Sequence, residues 1–260
     1  MRPVPSVRLP RGVLMPQLGF GVGNVAPDET AEMVLRALQI GYRHVDTAQM
    51  YANERQVAEG IERSGIDPGE IFVTSKLTTA MHSFDDALRG FELSARRLGP
   101  ETIDLYLIHW PLPGVANFAE TWRAFVRILE EGRVRAIGVS NFSENHLQRL
   151  KQQSLAVPAV NQIELHPYLT QREMTDYHRA HGIVTEAWAP LAQGAISRDD
   201  VIASIAHGHG RTAAQVILRW HIQLGNVVFP RSTNPERMRE NFEIFDFDLT
   251  RATFRDPWVV

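Results

Sequence analysis

Cysteine is absent from the 260 residues of this chain. A disulfide framework, a thiolate nucleophile and a cysteine-based zinc site are thereby excluded, and a reducing cytoplasm is the expected location. No apolar run approaches the roughly 20 residues that cross a bilayer, so no membrane partner is expected. The opening stretch "MRPVPSVRLPRG" lacks the apolar core of a signal peptide. Charge of one sign is also scarce. Lys and Arg number 27 against 30 Asp and Glu, for a net charge of −3, and the basic residues are scattered. That pattern offers neither a nucleic-acid footprint nor a polybasic membrane contact. Repeats, low-complexity segments and linkers are missing as well. With 44% hydrophobic and 22% charged residues, the composition is that of a globular protein. A single domain over 1–260 is the expectation.

Short apolar runs recur, each followed by a helical pattern. Strand character is seen at 18–22, 44–48, 72–77, 104–110, 135–141, 159–165, 183–190 and 227–232. Between them lie amphipathic stretches such as 28–40, 54–64, 84–98, 118–131, 170–181 and 212–224. Alternating β and α implies parallel strands, and near-continuous apolar runs imply burial on both faces. Eight units point to a closed (β/α)8 TIM barrel; an open doubly wound sheet is the alternative. Outside the eight units, "SVRLPRGVLMPQ" (6–17) reads as an N-terminal β-hairpin turning near Arg11 and Gly12, a plug across the barrel bottom. The tail "TRATFRDPWVV" (250–260) shows no helix pattern and is expected to be short.

In such a barrel the C-terminal ends of the strands share one mouth, where active sites are built. Those ends carry Asp46, Lys76, His109, Ser140 with Asn141, Gln162, Trp188, and Arg231 with Ser232. A lone strand-end lysine reads as a side chain snorkelling from the rim, and a lone histidine as a satisfied core residue. Three ionisable residues on three successive strands read otherwise. Lys76, between apolar neighbours, needs a carboxylate partner, and Asp46 on the adjacent strand is the available one. In "GYRHVDTAQMYANE" the phenol of Tyr51 follows five residues after Asp46. A phenol with a pKa near about 10 is a poor acid at neutral pH, and an adjacent ammonium should lower that value. A neutral His109 could donate to the oxygen that receives the tyrosine proton. The set suits addition of a nucleophile to C=O without a metal, and the missing component is the nucleophile.

"GYRHVDTAQMYANE", "FVTSKL", "DLYLIHWP", "GVSNF", "AVNQIELHPY" and "VVFPRSTNPERMRENFEIFDFDL" together resemble the aldo-keto reductase superfamily over about residues 6–249. "TEAWAPLAQG" is similar to the bacterial 2,5-diketo-D-gluconate reductase branch, where a tryptophan takes this place. The resemblance implies hydride from NADPH, bound without a Rossmann fold. It implies Asp46, Tyr51, Lys76 and His109 as the catalytic tetrad, with Tyr51 as general acid. Trp188 would stack on the nicotinamide, and Ser140, Asn141 and Gln162 would hold its carboxamide. Gly21, Val22, Asp46, Leu191 and Gln193 are further implied cofactor contacts. The resemblance places the adenosine 2′-phosphate at Arg231, Ser232, Thr233 and Arg237, with Glu240 and Asn241 at the adenine. Asn234-Pro235 is a helix start in its own right, and a helix N-terminus flanked by two arginines is a plausible anion site.

Two other patterns lead elsewhere. "GFGVGN" (19–24) mimics a dinucleotide loop but lacks the third glycine at the right spacing. His166, His207 and His209 raise a metal question, yet "HGHG" reads as a loop before a helix without ligand partners, so no metal is expected. Relative to the family pattern, Thr78 stands where a tryptophan is common and Gly23 where an aromatic is common, and the chain ends early. With Met50 and Trp110 as the remaining walls, these departures predict an open substrate pocket of low selectivity.

The expected activity is NADPH-dependent reduction of aldehydes, ketones or keto-sugars by a monomer. A cofactor-binding barrel acting as a redox sensor or scaffold is the alternative. A lyase or isomerase forming a Schiff base on Lys76 is the third.

Overall fold

The computed structural model describes residues 3–99, 102–112, 114, 117–153 and 156–250, the side chains at 197 and 198 aside. Ser6–Arg8 (β1) pairs antiparallel with Leu14–Pro16 (β2), Val7 opposite Met15. The turn between them runs through a 3-10 segment, Pro10–Gly12, in which Arg11 takes a left-handed φ of 59°. The hairpin is where the sequence placed it.

Eight parallel strands follow: Phe20–Gly21 (β3), His44–Asp46 (β4), Phe72–Leu77 (β5), Leu105–Ile108 (β6), Ala136–Ser140 (β7), Val160–Glu164 (β8), Val184–Trp188 (β9) and Val227–Val228 (β10). Each pairs with the next in chain order. The ring closes where Leu18 bridges Val228 in parallel, with Gly19 N donating to Val228 O at 2.9 Å and Val228 N to Gln17 O at 2.9 Å. Closure removes both sheet edges, and the (β/α)8 expectation holds.

The helices are Pro27–Ile40 (α1), Glu54–Ser64 (α2), Phe84–Leu98 (α3), Phe118–Glu130 (α4), Glu144–Gln153 (α5), Arg172–His181 (α6), Asp200–His209 (α7), Ala213–Leu224 (α8) and Pro235–Phe242 (α9). Their starts are chemically marked. Ser83 Oγ accepts from Asp86 N at α3, Thr212 and Gln215 form a reciprocal capping box at α8, and Asn234 caps α9 with Pro235 at its first position. One expectation is corrected: "HGHG" is no loop, because His207 and His209 form the last turn of α7, which ends on the left-handed Gly210. The final strand is also shorter than its apolar run, since strand pairing ends at Val228. The expected short tail, 250–260, lies outside the described residues from 251 onward.

Two apolar bodies result. The larger lies between strands and helices, and includes Leu38, Val73, Phe91, Trp122, Phe125 and Ile217. The smaller fills the lower barrel, where Leu9, Val13 and Met15 of the hairpin pack on Phe72, Leu105, Leu107, Val160, Val227 and Phe229. The hairpin therefore forms a floor. Gly138 lies between these strands, and a Cβ there would sit 2.7 Å from Val160 O. Close strand approach, rather than flexibility, explains that glycine.

Candidate active site

Asp46 ends β4 and Lys76 is the penultimate residue of β5, Asp46 standing beside Thr74 in the ladder. Lys76 Nζ donates to Asp46 Oδ1 at 2.7 Å, Asp46 Oδ2 at 2.8 Å and Thr47 O at 2.9 Å. A fully buried ammonium with its three hydrogens so placed remains charged: burial pulls its pKa down, but Asp46 and then Tyr51 pull it up further, and the net shift is upward. A lysine held as ammonium is in the wrong form for imine formation, which weighs against the Schiff-base reading.

Tyr51 arrives on a 3-10 turn, Gln49–Tyr51, that is pinned from both sides. Gln49 donates to Ser94 Oγ at 2.9 Å and accepts from Thr78 N at 2.8 Å. Thr47 Oγ1 donates to Asn53 Oδ1 at 2.8 Å, and Asn53 Nδ2 donates to Val22 O at 3.0 Å. The Lys76 ammonium then lies 5.3 Å from the centre of the Tyr51 ring. His109 follows the last residue of β6, and its ring meets Tyr51 edge-on, centroids 5.8 Å apart at 84°.

The electrostatics correct one expectation. The Lys76 charge is the largest influence on Tyr51 and does lower its pKa, but burial and the Asp46 carboxylate together outweigh it, leaving the phenol above its ordinary value. Tyr51 is thus held protonated. Burial, with help from Lys76, pushes His109 down to about 3, so its ring is neutral, and its buried Nδ1 has no partner among the described residues.

Beside the tetrad lies a web of amides. Trp188 Nε1, a donor only, meets Asn141 Oδ1 at 2.9 Å. The amide is thereby oriented with Nδ2 donating to His109 O and Ser140 Oγ, both at 3.0 Å. Ser140 Oγ donates to Gln162 O at 2.9 Å. Gln162 Nε2 donates to Asp46 Oδ2 at 2.9 Å and to Glu186 Oε2 at 2.8 Å. With their donors committed inside the protein, Ser140, Asn141 and Gln162 retain acceptor capacity, which suits the NH2 of a carboxamide. Sequence reasoning missed Glu186. Its signal was spacing, for it stands two residues before Trp188 and so on the same side of β9.

At the rim, Arg231 Nη1 donates to Asn24 O at 3.1 Å, tying the last barrel loop to the first. Asn234 Oδ1 accepts from the backbone N–H of Glu236 and of Arg237. The start of α9 is therefore capped by its own chain, and two of its N–H groups are already taken where an anion site was expected with Arg231, Arg237, Ser232 and Thr233. Glu240 is half-buried and Asn241 buried on α9. Gly21 pairs with Asp46 in the barrel and Val22 is buried beside it. Leu191 is half-buried against the outer core, and Gln193 is exposed in the following 3-10 segment with φ 53°. Met50 and Trp110 are 51% and 42% exposed, Thr78 is half-buried, and a Cβ on Gly23 would lie 3.4 Å from the Tyr51 ring. Among the described residues no three metal-ligating side chains cluster.

Eight parallel strands closed into a barrel inside a layer of helices define the (β/α)8 barrel proteins, and here ionisable side chains gather where the strands end. The chain belongs to the aldo/keto reductase family, whose model matches residues 15–256, and is with it an oxidoreductase. It is 49% identical over 246 residues to an aldo-keto reductase of Mycobacterium sp. (strain JLS), covering 95% of this chain and 89% of that one. It is 48% identical over 262 residues to morphine 6-dehydrogenase of Pseudomonas putida, covering 95% and 88%. Among solved structures, an aspartate-to-alanine mutant of Gox0644 in complex with NADPH superposes with a TM-score of 0.95 at 45% identity, covering 98% and 93%.

Proposed function

We infer that this chain, as one barrel domain, reduces aldehydes or ketones to alcohols with NADPH, Tyr51 serving as the acid. The observation that carries this is the fully buried Lys76 ammonium, tied to Asp46 and Thr47 and 5.3 Å from the Tyr51 ring. NADPH, when bound, supplies the hydride. The Trp188 indole, anchored through Asn141, offers a flat surface for its nicotinamide, and the acceptors of Gln162, Asn141 and Ser140 suit the carboxamide. Arg231 and Arg237 supply charge for a 2′-phosphate, which favours NADPH over NADH.

Tyr51 keeps its proton until negative charge develops on the substrate oxygen, then transfers it. Lys76 stabilises the resulting phenolate by its charge, and Asp46 holds Lys76 in place. Neutral His109 donates a ring N–H to the same oxygen. Trp188 within "TEAWAPLAQG" supports the 2,5-diketo-D-gluconate reductase branch and with it keto-sugars. The exposed Met50 and Trp110 support a wide mouth that selects weakly. The relative's description as a dehydrogenase supports the same C=O and CH–OH couple.

NADPH oxidation with a generic aldehyde tests this reading. Tyr51→Phe should lose about 10²- to 10⁴-fold in kcat while NADPH still quenches tryptophan fluorescence. Equal turnover in variant and parent would refute the role of Tyr51. Tight NADPH binding with no turnover in either would establish the sensor or scaffold reading.

A further inference from the structure

Glu186 is a buried acid without a task in the mechanism above. It lies in β9, in register with Gln162 of β8 on one side and Val227 of β10 on the other, with no solvent exposure. Its Oε2 accepts from Gln162 Nε2 at 2.8 Å, while Oε1 has no hydrogen-bond partner among the described residues. A carboxyl in such a place carries a large desolvation cost unless it is neutral. Burial first, and the Asp46 carboxylate next, push its pKa up to about 8 against the pull of Gln162 and Lys76, so at neutral pH it holds its proton.

The geometry at Gln162 shows what the acid is for. A primary amide has two hydrogens on one end and an acceptor oxygen on the other. Asp46 Oδ2 takes one hydrogen and Glu186 Oε2 takes the other. Both hydrogens are thereby directed into the barrel, and Oε1 is the end of the amide left for a ligand. Asp46, an acceptor only, already sets which end of the amide is the nitrogen, but it leaves the plane of the amide loosely held. The terminal torsion of glutamine is broad, and a single acceptor leaves the second hydrogen uncommitted.

We propose that Glu186 is a positioning residue that, by taking the second amide hydrogen of Gln162, fixes Gln162 with its oxygen toward the carboxamide NH2 of the nicotinamide. The proposal rests on the NADPH reading of the site. Without Glu186 the amide keeps its hydrogen on Asp46 but can rotate about its terminal torsion, carrying its oxygen off the line to the carboxamide NH2.

The experiment compares two ligands on four proteins: parent, Glu186→Gln, Glu186→Met and Glu186→Leu. The ligands are NADPH and adenosine 2′,5′-bisphosphate, which carries the rim-binding half without a nicotinamide. Glu186→Gln keeps a neutral acceptor and should bind both ligands like the parent. Glu186→Met and Glu186→Leu should bind NADPH roughly fivefold more weakly, the value of one ordinary hydrogen bond, with bisphosphate affinity unchanged. Using two apolar replacements guards against one that packs badly. Unchanged NADPH affinity in both, or equal losses for the two ligands, overturns the positioning role while leaving the NADPH reading intact. A parent that binds neither ligand overturns the NADPH reading itself, and this inference with it.

Discussion

Replacing Glu186 with Gln should alter how stability depends on pH, and the size of the effect follows from its environment. An unfolded glutamate titrates near 4.5, whereas folded Glu186 titrates at about 8. Between those values the folded chain holds a proton that the unfolded chain has released. Unfolding then releases a proton, so stability falls as pH rises through the window and levels off above about pH 8. The slope is about 1.4 kcal/mol per pH unit, and the whole window amounts to about 5 kcal/mol. At pH 7 about 3 kcal/mol of that has already been lost. Glu186→Gln has the shape of the protonated acid but no proton to lose. Asp46 and Lys76, the charged groups acting on Glu186, are present in both proteins. Urea unfolding of both proteins between about pH 5 and about pH 9 is the assay. The stability of the variant relative to the parent should climb by about 1.4 kcal/mol per unit up to about pH 8 and then flatten. A difference that is constant across the range, or that falls with pH, would show that Glu186 is already ionised in the folded protein.

Other expectations are simpler to state. Lys76→Met should cost about 3–5 kcal/mol of stability by leaving Asp46 buried without its cation, and adding Asp46→Asn should recover much of it; melting temperatures decide. A single variant as stable as the parent would contradict the pairing. Because His109 titrates at about 3, kcat at saturating NADPH should show no acid limb between about pH 5 and about pH 7. Such a limb, lost in His109→Gln, would mean that the imidazole is protonated in the working range. Gly138→Ala forces a methyl to 2.7 Å from Val160 O and should cost about 1–3 kcal/mol, read as a lower urea midpoint.

Much of this architecture was legible because local chemistry and global fold agree. "FVTSKL" is buried at every position and forms β5 over its whole length, and the stretches 54–64 and 84–98 are helices with unchanged bounds. Legibility failed where a segment's pattern is carried by few apolar groups. Helix α5 buries Leu147 and Leu150 alone among its described residues, too few to show a stripe, and glycines inside and after α7 made its end look like a loop. The ion pair of Asp46 and Lys76 was readable from adjacent strand ends. Its effect on Tyr51 was not, since the net shift depends on how burial and Asp46 weigh against Lys76, quantities that exist in three dimensions alone. Glu186 escaped because an acid within "TEAW" reads as a rim residue until the register sets it against Gln162.

The hairpin floor has a kinetic consequence. With Leu9, Val13 and Met15 packed against the lower ends of the strands, the barrel is a tube stoppered at one end. Lys76 and Glu186 have no solvent exposure, and with the lower end packed the mouth is the route on which solvent protons are expected to reach them. A ligand seated across the mouth would close that route and isolate the proton inventory of the interior for the length of its stay. Hydrogen isotope exchange at these two groups would then report residence time at the entrance, although neither group need touch the ligand.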